Sequence, residues 1–493
     1  MNKRRLSPFR PAPRGAGPGP GPGPAVPGRL ALAVIVSAQL MSGLDSTVVT
    51  VALPRLGADL RAAPAGLAWV INAYTLSYGG LLLLGGRIGD LAGRRRTFVA
   101  GIGLFTVASL ACGLAPSAGW LVAARAVQGA GAAAAGPNAV ALIATTFSGP
   151  ARTRALAVLS AAASLSLTAG LLLGGLLSDA SWRWVFAINL PIGAAIVVLA
   201  PRVVVGTAPH PGRLDLPGAL LGTAGVGAVV GALLDGAAGG WGRRRLLRLG
   251  AGAVLLALLA GVERRAPFPL VPPALLADPR RRAAYLVTLL VPAAMFGTFF
   301  YLTQYFQQRL GLRPVVAGLA FLPLAVTMLV TVRAVPRLLS RRGPVPLVIA
   351  GCLAAAAGML WLSRVSATTG YATGIALPMV VIGVGIGTAF VPLSVIILDG
   401  VPPSSAGAAG ALMQALQMVG ATVGLACLVT LYAARTRAAG AVPAVLSLDG
   451  ASAAFLLAAG LAGVAAGVGA LGLRRPVPRP APEGQVAMST KRE

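Results

Sequence analysis

Two charged residues stand where charge is expensive. Asp45 lies in an apolar stretch running from Leu30 to Pro54, within Leu44-Asp45-Ser46-Thr47-Val48-Val49-Thr50-Val51-Ala52-Leu53-Pro54. About 15 helical residues precede it, or ~22 Å at 1.5 Å per residue. A carboxylate at that depth in a bilayer costs roughly 2.5–3.5 kcal/mol on insertion scales. It is tolerated if it faces a wet cavity, pairs with an opposite charge or takes up a proton, and each option belongs to a transport path. The competing view is an Asp at a helix end whose side chain reaches the surface. Arg125 is the second deep charge, in Leu121-Val122-Ala123-Ala124-Arg125-Ala126-Val127-Gln128-Gly129. Arginine stays protonated in proteins, so it must be paired or wet. A neighbouring arginine favours the charged form of a carboxylate, and burial favours the neutral form. A protein that alternately couples and separates Asp45 and Arg125 would load and unload a proton. A fixed pair that only joins two helices is the alternative.

The rest of the composition removes rival chemistries. Of 493 residues, 56% are hydrophobic and 11% charged, against about 25% charged in soluble domains. Charge this sparse, grouped between apolar blocks of about 20 residues, describes an all-α polytopic membrane protein. Backbone groups in lipid must be satisfied within each segment, so the spans are helices, and 65 glycines suit their close packing. The net charge of +29 sits in short loops and at both ends, which points to membrane orientation and not to nucleic acid. Lysine occurs only at Lys3 and Lys491, so there is no P-loop lysine and no Schiff-base lysine. His210 is the only histidine and falls in a loop, which leaves no buried histidine relay. Cys112, Cys352 and Cys427 are isolated in expected spans and suit packing better than disulfides or metal. No cofactor and no metal are expected. A membrane-embedded enzyme lacks its parts, and a channel would dissipate a gradient.

These residues need elements to hold them. Residues 1–29 form a basic tail with alternating Gly and Pro from Gly15 to Pro24, a disordered composition, and 474–493 form a second polar tail. Between them fourteen spans are expected: 30–53, 66–86, 97–115, 119–144, 154–178, 183–201, 214–234, 246–262, 283–307, 316–336, 344–363, 371–397, 406–433 and 452–473. With the N-terminus inside, about 27 of the 41 Lys and Arg fall on the cytoplasmic side and about 12 outside, leaving Arg125 and Arg333 in spans. Both termini are then cytoplasmic. Arg243, Arg244, Arg245 and Arg248 dissent by lying outside, and twelve spans with 214–262 not crossing would keep the same ends. Gly86-Arg87-Ile88-Gly89-Asp90-Leu91-Ala92-Gly93-Arg94 follows the second span, and Pro336-Arg337-Leu338-Leu339-Ser340-Arg341-Arg342-Gly343 occupies a comparable loop later. Arg87 matches Arg337, Gly93 matches Gly343, and Asp90 becomes Ser340. Paired halves around a central site are a common transporter plan. Asp90 among arginines can form ion pairs that open and close as helices rock.

Taken in order, these segments resemble a drug–proton antiporter of the major facilitator superfamily, in its fourteen-span branch. Leu44 to Pro54 is similar to the first-span signature, with Thr50 where Asn is usual. Gly86, Arg87, Gly89, Asp90, Gly93 and Arg94 are similar to the second-loop motif. Arg125, Gln128 and Gly129 are similar to the fourth-span motif. Ser181-Trp182-Arg183-Trp184-Val185-Phe186-Ala187-Ile188-Asn189-Leu190-Pro191 is similar to the start of the sixth span. The fifth-span antiporter motif departs. It reads Gly170-Leu171-Leu172-Leu173-Gly174-Gly175, with Leu171 where proline would kink the helix.

The resemblance implies two six-helix bundles, 30–201 and 283–473, joined by a 202–282 linker with two extra spans. It implies alternating access, proton entry at Asp45, coupling through Arg125, and Asp90 facing the start of span 13 near Ser404–Ala406. Gly170, Gly174 and Gly175 would pack helices. Tyr74, Gln128, Phe300, Gln304, Gln307, Gln414 and Gln417 could line an apolar cavity with a few polar anchors, although such residues in spans more often serve packing. Few deep acids favour a neutral or monocationic hydrophobic substrate. The expected protein is a monomeric efflux antiporter in a bacterial cytoplasmic membrane, partnered by protons, lipid and a hydrophobic small molecule. An exporter of an endogenous metabolite or peptide is the alternative. An Ala-, Gly-, Arg- and Pro-rich chain with almost no Lys accords with a GC-rich bacterial genome.

Overall fold

The computed structural model describes residues 27–473, apart from 207–213, 241, 266–268, 270, 367–368, 402 and 439–446. His210, Lys3 and Lys491 lie outside the described residues. Among those described, fourteen long helices follow one another. They are α1 (Pro27–Asp59), α2 (Pro64–Ala92), α3 (Arg94–Gly113), α4 (Ala118–Thr146) and α5 (Gly149–Ala180). Then come α6 (Trp184–Val203), α7 (Leu216–Gly239), α8 (Arg243–Arg265), α9 (Pro279–Arg309) and α10 (Pro314–Arg342). The last four are α11 (Pro344–Leu362), α12 (Ala372–Leu398), α13 (Pro403–Ala438) and α14 (Leu448–Gly472). Twelve are long and apolar enough to cross a membrane by length and composition. The other two, α4 and α5, have 29 and 32 residues.

Local chemistry sets the helix ends. Asp215, Asp278 and Ser447 accept from the backbone N–H of Gly218, Arg280 and Gly450 at 2.9, 2.9 and 3.2 Å, satisfying donors that a helix start leaves open. Gly93 and Gly343 close α2 and α10 with φ of 97° and 73°, a region that a side chain disfavours. Helix α1 runs past the expected span of 30–53, with Pro54 inside a 33-residue helix. Neighbouring helices compensate a missing backbone donor in such packing. Here Arg55 of α1 binds the end of α5.

The packing repeats. In the first six helices α1 runs parallel to α5, with Gly170 against Leu44 and Thr47, and Gly174 against Val48. In the last six, α9 runs parallel to α13, with Gly420 against Leu289 and Gly424 against Ala293. Likewise Gly101 meets Gly131 and Ala135, and Gly351 meets Gly385 and Ala389. Gly129 rests on Tyr74, Ser77 and Tyr78, while Gly383 rests on Leu324, Thr327 and Met328. In this register Arg87 and Gly93 superpose on Arg337 and Gly343, the same pairs that the loop sequences suggest. The two groups meet along α2–α13 and α5–α10. Helix α7 packs on both α2 and α13, and α8 packs on α7. Within that hairpin Arg248 pairs with Asp235 at 2.6 Å.

Glycine at the α1–α5 and α9–α13 crossings is a packing requirement. A Cβ on Gly174 would lie 2.7 Å from the Val48 carbonyl oxygen, and one on Gly424 would strike the Ala293 backbone. Gly174→Ala and Gly424→Ala should each cost about 1–3 kcal/mol by overpacking, read as a lower unfolding temperature in detergent. Gly410→Ala and Gly460→Ala, with nothing within 4 Å, should be neutral or slightly stabilising. Equal losses at all four sites would contradict this packing.

Candidate functional site

Five helices build the site around Asp45. The carboxylate, on α1, is 1% exposed. Its Oδ1 accepts from Gln128 Nε2 at 2.8 Å and from Asn189 Nδ2 at 2.9 Å. Its Oδ2 is bound by Arg125 Nη1. Arg125 and Gln128 stand three residues apart on α4, so they share a helix face. Asn189, on α6, also donates to Ser109 Oγ of α3 at 3.0 Å, and Ser109 donates to the Phe186 carbonyl at 2.9 Å.

Arg125 is also 1% exposed. Besides Asp45, it donates to Gln128 Oε1 at 2.7 Å and to the Val70 carbonyl at 3.2 Å. Its guanidinium lies over the Tyr74 ring, 4.2 Å from the centroid, a favourable cation–π contact. Removing two charges from water costs several kcal/mol per ion. The arrangement offsets this by giving the carboxylate three donors and the guanidinium two further acceptors and a ring. It is sealed from solvent on all sides in this conformation.

The expected substrate residues do not gather in one place. Gln128 and Tyr74 belong to the charge cluster. Tyr74 lies 5.8 Å from Tyr78, whose hydroxyl accepts from Gln414 Nε2 at 2.6 Å across the α2–α13 seam. Gln307 donates to the Val51 carbonyl at 2.7 Å, Gln304 accepts from Gln308 at 2.7 Å, and Phe300 packs edge-on to Tyr301. Gln417 lines a cavity with Thr288, Val291, Pro292, Phe390 and Met413. That cavity has room for about one water molecule, ~10 Å³. A larger open groove on the outer side of α8 lies far from the charges, along Val254, Leu258 and Val262.

The gating-loop residues sit together at the end of α2. Asp90 accepts from Arg94 at 3.0 and 3.1 Å. Arg87 lies one turn before it, within α2. Asn138 of α4 fills the space beside Gly89 and donates to the Gly85 carbonyl at 3.0 Å, with Pro137 against Gly86. The side chains of Ser404–Ala406 lie outside the described residues, so the expected Asp90 contact there does too. The α5 backbone is helical through Leu171. Cys112 and Cys352 are buried, Cys427 partly so, and all three are free. Among the described residues no cluster of three or more His, Cys, Asp or Glu could hold a metal ion.

The Major Facilitator Superfamily profile matches residues 35–425. The chain belongs to this superfamily. It is 41% identical over 432 residues to the cephamycin export protein CmcT of Amycolatopsis lactamdurans, covering 86% of this chain and 89% of that protein. It is 43% identical over 418 residues to the puromycin resistance protein pur8 of Streptomyces alboniger, covering 83% and 82%. Among solved structures, a bacterial homologue of the human lysosomal transporter Spinster has the same fold, with a TM-score of 0.65 at 16% identity, covering 92% of this chain and all of that one. This superfamily member is therefore a multi-pass membrane transporter and not an enzyme.

Sequence reasoning placed Asp45 beside Arg125. It gave no role to Asn189 or Ser109, although Asn189 stood inside a quoted motif, and it placed Gln128 in a substrate cavity. The three-residue spacing of Arg125 and Gln128 was the available signal. Arg125→Ala would leave a buried carboxylate without its charge partner and should cost about 3–5 kcal/mol, measured as the loss of unfolding temperature in purified protein. Adding Asp45→Asn should return at least half of that loss. A double variant no more stable than Arg125→Ala would separate the instability from the ion pair.

Proposed function

We propose that this transporter exports a hydrophobic small molecule from the cytoplasm in exchange for a proton, by alternating access. The observation that carries this reading is the sealed Asp45–Arg125 pair. A proton reaching Asp45 from outside removes the charge that Arg125 neutralises. Arg125 then keeps the Val70 carbonyl, the Gln128 oxygen and the Tyr74 ring, so it is not stranded while Asp45 is neutral. Loss of the ionic contact frees α1 from α4 and allows the two groups of helices to rearrange. Return of the proton to the cytoplasm restores the pair.

In this reading all fourteen helices cross the cytoplasmic membrane and both termini are cytoplasmic. Residues 30–201 and 283–473 act as the two moving bundles, with 202–282 carrying the extra hairpin. The protein acts as a monomer. Asp90, Arg87 and Arg94 govern the cytoplasmic end, and Gly170 and Gly174 let α1 and α5 pack closely. Residues near Gln414 and Gln417 meet the substrate when the α2–α13 seam loosens. One charge crossing 100 mV is worth about 2.3 kcal/mol, and ~1.4 kcal/mol is a factor of ten. The potential alone then sustains about a fortyfold gradient.

The names of relatives support export as the direction: cephamycin export in one, and resistance to puromycin, methylenomycin A and lincomycin in others. Names that span several different antibiotics favour a class of compounds over one substrate. Export of the cell's own product is the second reading, favoured by the cephamycin exporter.

The test is transport in proteoliposomes with an imposed pH gradient, using puromycin and lincomycin as probes. Wild type should accumulate a probe, Asp45→Asn should lose at least ~90% of the gradient-driven component, and Asp45→Glu should retain part of it. Equal gradient-driven transport by wild type and Asp45→Asn would remove Asp45 from the proton path.

A further inference from the structure

Asp179 ends α5 at the opposite end of the helices from Pro27, where α1 begins, since α5 runs parallel to α1. One of its partners is resident. Arg55 of α1 donates to the Ser178 carbonyl at 2.8 Å, to the Asp179 carbonyl at 2.5 Å and to Asp179 Oδ1 at 3.1 Å. Cations suit a helix C-terminus, where carbonyls lack partners. The other partner is foreign. Arg313, in the turn before α10, donates to Asp179 Oδ2. Among the described residues it forms the ion pair that joins the first six helices to the last six. The backbones touch at the same place: a Cβ on Gly175 would lie 2.5 Å from the Pro314 carbonyl oxygen and 2.9 Å from Val315 Cα. Gln307 also crosses here to the Val51 carbonyl.

We propose that Asp179 is a gate residue of the transport cycle: it keeps Arg55 throughout and exchanges Arg313 for water each time α5 and α10 part. The inference rests on the alternating-access reading. The exposures explain why this pair is suited to opening. The Arg313 side chain is 72% exposed and Asp179 15%, so release leaves a well-hydrated guanidinium and a carboxylate that still has its resident arginine. Neither is stranded in a dry site. A pair as buried as Asp45–Arg125 could not open without a proton, whereas this one opens at small cost. Solvent-exposed pairs contribute little, equivalent to about a two- to fivefold bias, which holds a gate closed without locking it.

Val51, 0% exposed beneath this contact, supplies the reporter. In nanodiscs, where reagent reaches both faces, thiol labelling of Val51→Cys is compared with the chain lacking that substitution. Arg313→Gln should speed labelling about two- to fivefold, and Arg313→Lys should return it to the starting rate. In a second measurement, Asp179→Cys/Arg313→Cys is bridged by a short bifunctional methanethiosulfonate. Probe transport should stop on bridging and resume on reduction. Unchanged labelling in Arg313→Gln, or continued transport while bridged, would overturn the gate. If labelling follows the prediction but even the unmodified chain moves no probe against a proton gradient, the gate stands and the antiport reading fails.

Discussion

The sealed contact between Asp45 and Arg125 constrains everything around it. A buried ion pair adds little net stability, because desolvation nearly cancels the attraction, yet losing one partner is costly. The surrounding structure is therefore committed to serving both groups together. Gln128 does so twice, donating to the carboxylate and accepting from the guanidinium. Asn189 brings α6 into the cluster and passes the connection through Ser109 to the Phe186 carbonyl. A change of charge on Asp45 is thus felt by α1, α3, α4 and α6 at once.

The repeat sharpens the point. Superposing the two sets of crossings places Leu290 opposite Asp45, Met379 opposite Arg125, Ile382 opposite Gln128 and Leu324 opposite Tyr74. The last six helices keep the close glycine contacts and replace the polar cluster with apolar side chains, of which Met379, Ile382 and Leu324 are fully buried. Packing is shared by both halves because each must hold parallel helices together. The buried Asp45–Arg125 pair belongs to the first six helices, and the positions opposite it in the last six are apolar.

What could be read in the chain beforehand follows the same physics. Helices announce themselves because a bilayer leaves the backbone no alternative, and Asp45 and Arg125 stand out because charge is rare in such segments. The loop repeat was visible as paired Arg and Gly, and the structure gives it a geometric meaning. Roles that depend on distant partners were hidden. Asp179 lies 124 residues from Arg55 and 134 from Arg313, and each looks like an ordinary charge at a helix end. Tyr74 and Gln128 looked like cavity residues because aromatic and amide side chains serve a cavity or a charge equally well.

The two seams between the halves are built unequally, and this bears on how they move. The α2–α13 seam is stitched by Thr75 with Thr422 at 2.6 Å and by Gln414 with Tyr78. It is also flanked by α7, which accepts from Thr430 at the Leu233 carbonyl and from Arg437 at the Ala237 carbonyl. Asn72 of α2 is fully buried there, with neither amide atom bonded among the described residues. The α5–α10 seam carries no such extra helix among the described residues; it is held by a glycine contact, a half-exposed ion pair and the Gln307–Val51 hydrogen bond. On the proposed alternating-access reading, the braced seam serves as the hinge and the unbraced one as the gate. On the proposed reading the extra hairpin steadies the side about which the halves turn, since α7 packs on both α2 and α13.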